Sequence, residues 1–259
     1  VAQQHERPTA LVTGVGRRHG IGAAICRTLA TNGWNLCFTW WGAADRANAW
    51  GDREEFGNSF GAELELAGCH SLGIEADLSD VATPAVLVAE CRARSGEITL
   101  LVNNAAVSEE GGIDDVTAES IDRHFAVNVR GMMLLTQAFV RQFESGSGGR
   151  IVNLTSGQSL GPMTGELAYA ASKGAVEVLT TSLAPELMSR GITINAVNPG
   201  PTDNGWMSDD VRAMLLERAP AGRLGTAEDA ARLVAFLASP EAEWITGQII
   251  HSEGGFCRG

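Results

Sequence analysis

Lysine and tyrosine are almost missing from this chain, which holds one of each beside 18 arginines in 259 residues. Basic residues as a class are scarce: 19 stand against 31 acidic ones, for a formal net charge of −12. That balance excludes binding along a nucleic-acid backbone as the main task. Cys26, Cys37, Cys69, Cys91 and Cys257 are odd in number, share no CxxC spacing and lack a histidine cluster beside them. The pattern speaks against a disulfide framework and against a metal site, and for reduced thiols. No apolar run approaches the roughly 18 residues of a membrane span. Residues 1–8 are polar, without the apolar stretch of a secretory signal, and read as a flexible N-terminal segment. The expectation is a cytoplasmic protein that engages neither membrane nor nucleic acid. Linkers, low-complexity tracts and repeats are missing too, so residues 9–259 read as one domain. With 44% hydrophobic and 19% charged residues, that domain has the material for a full core.

What is present is alternation. Short β-rich runs at 9–13, 35–40, 70–75, 100–103, 150–155, 193–198 and 248–251 are separated by helical patterns near 21–32, 54–67, 81–94, 118–143, 169–190 and 227–237. The strands show no long polar alternation, as expected of parallel strands covered on both faces. Strand and helix in turn imply an α/β fold, a doubly wound parallel sheet of about seven strands of the Rossmann type. Two longer connections, 41–53 and 200–224, break the rhythm, and the second carries a short helical pattern of its own. Long loops at the carboxyl ends of strands are where such sheets bind ligands.

After the first strand, Thr13 to Gly22 read T-G-V-G-R-R-H-G-I-G and run into a helical pattern. Gly14, Gly20 and Gly22 supply tight backbone where a pyrophosphate must approach, and Ile21 opens a helix whose amino terminus favours anions. The second strand ends Phe38-Thr39-Trp40-Trp41, with no carboxylate before Asp45 to hold a ribose and repel a 2′-phosphate. Trp40 is therefore a candidate adenosine contact. Arg17 and Arg18 in the loop suit a phosphate, which favours NADP, with NAD as the alternative.

The single tyrosine and single lysine fall in one motif, Y-A-A-S-K, Tyr169 to Lys173. Spacing of i, i+4 stacks the two side chains on one helix face. A phenol near pKa 10 is a poor proton exchanger at neutral pH, and a neighbouring ammonium lowers it. Chance places such a pair in this register at a rate on the order of one in a few hundred.

With these motifs in hand, the chain resembles the short-chain dehydrogenase/reductases over nearly its whole length, and looks most like their 3-oxoacyl-reductase-type members. Asp77-Leu78 matches the adenine-contacting Asp after the third strand. Asn104, Ala105 and Ala106, after Asn103, look like the family's N-N-A-G, with Ala in the last place. Asn128 is similar to the helix asparagine of the catalytic tetrad, and Ser156, thirteen residues before Tyr169, to the catalytic serine. Asn198-Pro199-Gly200 resembles the turn beside the nicotinamide, with Thr202 a further contact. The resemblance implies hydride exchange between nicotinamide and a carbonyl or secondary alcohol. In it Tyr169 handles the proton, Ser156 clamps the oxygen, Lys173 tunes the phenol and binds ribose, and Asn128 holds a water leading to Lys173.

Three departures stand out. Five residues, rather than the family's usual three, separate Gly14 from Gly20, and His19 precedes the second glycine. Asn204 occupies a place where relatives often carry Thr. The two arginines that dock acyl carrier protein in relatives align with Ser147 and Pro185, which favours a free small ketone or natural-product intermediate over a carrier-bound one. Gln158, Leu160, Met163, Thr164, Trp206 and Met207 would flank the substrate. Alternatives are a 3-oxoacyl thioester reductase, a non-catalytic NADP-binding sensor, or an epimerase or dehydratase on the extended fold. Relatives commonly pair the helices that bear Asn128 and Tyr169, which implies a homo-oligomer, tetramer or dimer.

Overall fold

The computed structural model describes residues 7–43 and 56–257. Runs rich in Val, Ile, Leu and Thr form β1 (Thr9–Val12), β2 (Asn35–Trp40), β3 (Ser71–Glu75), β4 (Ile98–Asn103), β5 (Gly149–Leu154), β6 (Ile192–Asn198) and β7 (Ile249–His251). They lie in the order β3-β2-β1-β4-β5-β6-β7, and every pairing is parallel. The helices are α1 (Ile21–Thr31), α2 (Phe56–Leu66), α3 (Thr83–Ser95), α4 (Ala118–His124), α5 (Met132–Gln142), α6 (Leu167–Met188), α7 (Asp209–Leu216) and α8 (Ala227–Ala238). This is the expected doubly wound sheet of the Rossmann type.

Successive residues of β1 explain why both faces must be covered. Ala10 and Val12 bury against Ile25 and Leu29 of α1 and Val234 and Leu237 of α8. Leu11, between them, points into the opposite core with Leu87 and Cys91 of α3, Leu135 and Phe139 of α5, and Leu187 of α6. The chain winds outward from β1 to β3 and then returns to β4, which opens a crevice at the carboxyl ends of β1 and β4.

The structure departs from the sequence reading in three places. Strand β4 starts at Ile98, two residues early, because Ile98 is fully buried and pairs with Thr9. The helix expected over 118–143 is interrupted by a π-helical segment, Phe125–Gly131. A Cβ on Gly131 would lie 2.6 Å from the Leu78 carbonyl oxygen, so the backbone approaches the end of β3 more closely than a side chain permits. Arg7 and Pro8, expected in a flexible segment, are tied down: Arg7 Nη1 donates to the Gly68 carbonyl at 2.5 Å and the Pro8 carbonyl accepts from the Asn35 N–H. Most of the excursion at 41–53, Asp45 included, and the expected helix start at Glu54 lie outside the described residues. Among the described residues no helix is long and apolar enough to cross a membrane, and no group of three His, Cys, Asp or Glu could hold a metal ion.

Candidate active site

Helix α6 carries Tyr169 and Lys173 one turn apart, with Nζ 5.7 Å from the centre of the phenol ring. Lys173 is buried and donates from Nζ to the Leu154 carbonyl at 2.7 Å, which anchors α6 to the end of β5. Ser156, two residues beyond that strand, stands near enough to the phenol to favour its ionised form. Ser156, Tyr169 and Lys173 thus meet at the carboxyl end of β5.

The electrostatics differ from the sequence expectation. Burial pushes the Tyr169 phenol up to about 12; Ser156 pulls against this and the Glu166 carboxylate adds to it. Burial also brings the Lys173 ammonium down from 10.5 to about 8. Lys173 is not among the groups that shift the phenol: its Nζ is directed at Leu154 and stands off the ring.

Asn128 lies in the π-helical segment, buried, with both amide hydrogens committed. Nδ2 donates to the Val107 carbonyl at 2.8 Å and to Ser172 Oγ at 2.9 Å, while Oδ1 accepts from the Val107 N–H at 2.7 Å. Ser172 in turn donates to the Tyr169 carbonyl at 2.7 Å. The side chain therefore braces α6 and the segment after β4, and has no hydrogen left for a water on the way to Lys173.

Sequence reasoning missed the knot behind this wall. His124 is fully buried, donates from Nδ1 to the Ser120 carbonyl at 2.7 Å and accepts at Nε2 from the Glu109 N–H at 3.2 Å. Its ring meets Tyr169 edge-on at 6.3 Å. The Glu109 carboxylate takes Nε and Nη2 of Arg123 and the Ser120 hydroxyl. Burial and the charge of Glu110 raise the Glu166 carboxyl. No spacing rule joins residue 109 to residue 124, so only the folded chain reveals the contact.

On the β1 side, Thr13 is the hub. Its Oγ1 accepts from the N–H groups of Asn104 and Ala105, each at 3.1 Å, while Asn104 Nδ2 donates to the carbonyls of Thr13 and Gly14. Gly14 has φ +71, and a Cβ there would stand 2.5 Å from the Ala105 Cα. Gly22 is as tight, with a Cβ falling 2.8 Å from Asn104 Nδ2. Gly14→Ala is expected to cost at least about 2 kcal/mol of stability through strain and this clash, a loss that denaturant unfolding against wild type measures. Gly20 precedes Ile21 at the start of α1, and no side chain caps the helix. Its first N–H groups face the crevice mouth, a ready anion site.

The two loop arginines go separate ways. Arg18 pairs with Glu63, stacks over Phe56 and reaches Ser59, so it is held against α2 at the adenosine end. Arg17 extends across the crevice, with Nη1 at 3.5 Å from Asn204 Oδ1. The Trp40 indole is committed to packing on Gly57 and Gly73, where a Cβ would meet the ring at 2.3 and 2.9 Å. A carboxylate does stand at the end of β2, supplied by the neighbouring strand: Glu75 pairs with Trp40 and accepts the Gly42 N–H at 3.0 Å. Asp77 caps its own turn through the Ser79 N–H, Leu78 is buried, and Ala106 is exposed beyond the Asn104 bonds.

Beyond β6, Gly200 has φ +66 and its N–H goes to Asn198 Oδ1 at 2.9 Å, turning the chain after Pro199. Thr202 is buried and bonded inward to the Pro199 and Gly200 carbonyls. Trp206 donates to the Thr202 carbonyl, and Met207 is buried beside it. Gln158 Nε2 donates to Thr155 Oγ1, and Met163 is half-buried on the segment before α6.

Comparison with known proteins gives a consistent result. A family model described as enoyl-(acyl carrier protein) reductase matches residues 14–257. An uncharacterised oxidoreductase of Bacillus subtilis, YjdA, is 48% identical, covering 96% of this chain and 97% of that protein. The 3-oxoacyl-[acyl-carrier-protein] reductase FabG of Staphylococcus epidermidis is 34% identical, over 95% of this chain and 98% of its own. A short-chain dehydrogenase of Burkholderia cenocepacia, solved with NADP, is 36% identical with a TM-score of 0.84, covering 96% of this chain and 97% of that one. A blue fluorescent protein from a metagenomic library, solved with NADPH, gives 33% and 0.87, with 96% and 98% covered.

Proposed function

The chain belongs to the short-chain dehydrogenase/reductase family, and from that premise we propose that it is an NADPH-dependent ketoreductase. The observation that carries this reading is the half-buried phenol of Tyr169, with Ser156 beside it and the Lys173 ammonium one turn away. The crevice suits the dinucleotide: an uncapped α1 amino terminus, the exposed Gly14 and Arg17 at its mouth fit a pyrophosphate, and Arg18 fits a phosphate at the adenosine end. Relatives solved with NADP and NADPH support that choice over NAD.

When bound, the cofactor supplies hydride to the carbonyl carbon. The chain's own residues do the rest. Tyr169, kept protonated by burial, gives its proton to the carbonyl oxygen as charge develops there. Ser156 Oγ donates to the same oxygen and holds it in line. Lys173 spends one N–H on Leu154 and keeps the others for ribose hydroxyls and for restoring the phenol's proton. Asn128 acts through position, by tying α6 to the segment after β4.

A neutral ketone fits better than a carrier thioester. The positions that would dock a carrier are Ser147 and Pro185, and Glu109, Glu110 and Glu166 surround the Tyr169 side of the cleft. Gln158, Met163, Trp206 and Met207 flank that substrate. The buried free thiols Cys26, Cys37, Cys69 and Cys91 accord with a reducing, cytoplasmic setting.

Fluorescence titration with NADPH and NADH, followed by a panel of neutral ketones and acyl thioesters, tests the reading. Tighter NADPH binding and oxidation of NADPH by a ketone are expected; tight binding without turnover would point instead to a cofactor sensor. Ile121, Phe125 and Met133, exposed along α4 to α5, with Val178 on α6, offer an apolar surface for a homo-oligomer. Phe125→Arg is expected to lower the assembly state seen by sedimentation.

A further inference from the structure

Tyr169 and Lys173 stand on a helix, but Ser156 does not: it lies in irregular chain between β5 and a turn over 157–160. Catalytic geometry must be held to about half an ångström, and loops hold it less well than helices. The segment that carries Ser156 therefore needs fixing against α6, and a compact group of bonds does so.

Helix α6 presents Tyr169, Lys173 and Glu177 at successive steps of four residues, so the three lie along one side of it. Lys173 holds the Leu154 carbonyl just before the segment begins. One turn further on, Glu177 Oε1 accepts from the Thr155 hydroxyl at 3.2 Å and from the Ser159 hydroxyl at 3.3 Å. Those two donors flank Ser156 in the chain. A carboxylate only accepts, so both hydroxyls turn their hydrogens toward it. Thr155 Oγ1 is then left as an acceptor, and Gln158 Nε2 donates to it at 3.3 Å. Thr155 is buried, lies 3.4 Å from the Lys173 carbonyl through the same hydroxyl, and gives its N–H to the Val197 carbonyl at 2.9 Å. Glu177 thus sets the direction of a short relay that ties both sides of Ser156 to the helix bearing Tyr169.

Other tasks for this carboxylate do not fit. Among the described residues Glu177 pairs with no arginine or lysine. Burial alone brings the Lys173 ammonium down, so Glu177 is not its counter-charge.

We propose that Glu177 is a positioning residue for catalysis: its carboxylate clamps the Thr155 and Ser159 hydroxyls to α6 and so keeps Ser156, between them, in place beside Tyr169. This rests on the ketoreductase reading above and adds to it a residue that acts only through Ser156.

Steady-state ketone reduction tests the clamp in wild type, Glu177→Gln, Glu177→Leu, Ser156→Ala and Ser156→Ala with Glu177→Leu, beside fluorescence titration with NADPH. Glu177→Leu is expected to lower kcat about 30-fold, the scale of a misplacement somewhat below 1 Å at a reacting group. KM for the ketone and the affinity for NADPH should stay within about twofold. Glu177→Gln keeps an acceptor oxygen, so it should remain within about fivefold of wild type. In the Ser156→Ala background, Glu177→Leu should change kcat less than about twofold, because the group it positions is gone. Thr155→Val combined with Ser159→Ala removes the same two bonds from the loop side and should reproduce the loss, which covers the case of a Glu177→Leu protein that does not fold. Wild-type kcat in that double variant, or an equal loss from Glu177→Leu with and without Ser156, would overturn the clamp while leaving the ketoreductase in place. A wild-type protein that binds NADPH but reduces no carbonyl would instead overturn the functional reading, and the clamp's part in catalysis with it.

Discussion

Tyr169→Phe is expected to cut ketone reduction by about a thousandfold, within the range of a lost general acid, while NADPH still binds and the fold is unchanged. The ring keeps its contact with His124 and its place on α6, so only the hydroxyl and its interaction with Ser156 are lost. Initial rates at saturating cofactor, paired with a fluorescence titration, separate the chemical defect from a binding one. Turnover within tenfold of wild type would remove Tyr169 from the mechanism. The phenol's shift also sets a direction. With its pKa pushed up to about 12, Tyr169 is protonated across the neutral range, so reduction should be flat with pH there. Alcohol oxidation needs the phenolate and should rise with pH over the same range. Opposite pH dependence of the two directions is the signature to measure.

Lys173→Met is expected to lower turnover about a hundredfold or more and, at neutral pH, to make the fold more stable. Burying an ammonium at 3% exposure has brought its pKa from 10.5 to about 8. At about 1.4 kcal/mol per pH unit, that desolvation costs the folded state about 3 kcal/mol at pH 7. Losing the bond to the Leu154 carbonyl gives back about 1–2 kcal/mol, which leaves a net gain of about 1–2 kcal/mol for the methionine variant. The sign follows from linkage. Between pH 8 and 10.5 the unfolded lysine holds a proton that the folded one has released, so wild type gains stability through that window and the variant does not. Denaturant unfolding at pH 7 and pH 10 should show the advantage of Lys173→Met shrinking and reversing. A constant difference at both pH values would mean the ammonium is not desolvated in the folded protein. A residue kept at a cost to stability is what a functional site commonly shows.

Much of this was legible from residue order. All seven strands were visible as β-rich runs, because hydrophobic period and strand length are local signals. The misplaced start of β4 and the π-helical segment were hidden for the same reason. Ile98 joins β4 through pairing with Thr9, and the Gly131 backbone answers to the Leu78 carbonyl, neither of which leaves a local trace.

The candidate site divides along the same line. The amino-acid sequence by itself determined the order of elements, the glycine loop and the Tyr169–Lys173 pair, since each depends on neighbours within a few residues along the chain. Tertiary structure alone decided the direction of the pKa shifts, which come from burial among distant segments. It also turned Asn128 inward to Val107 and Ser172, brought Glu75 to the end of β2, and set Arg17 against Asn204. Solvent exclusion and contacts between remote residues are properties of the packed chain, so no spacing in the sequence could carry them.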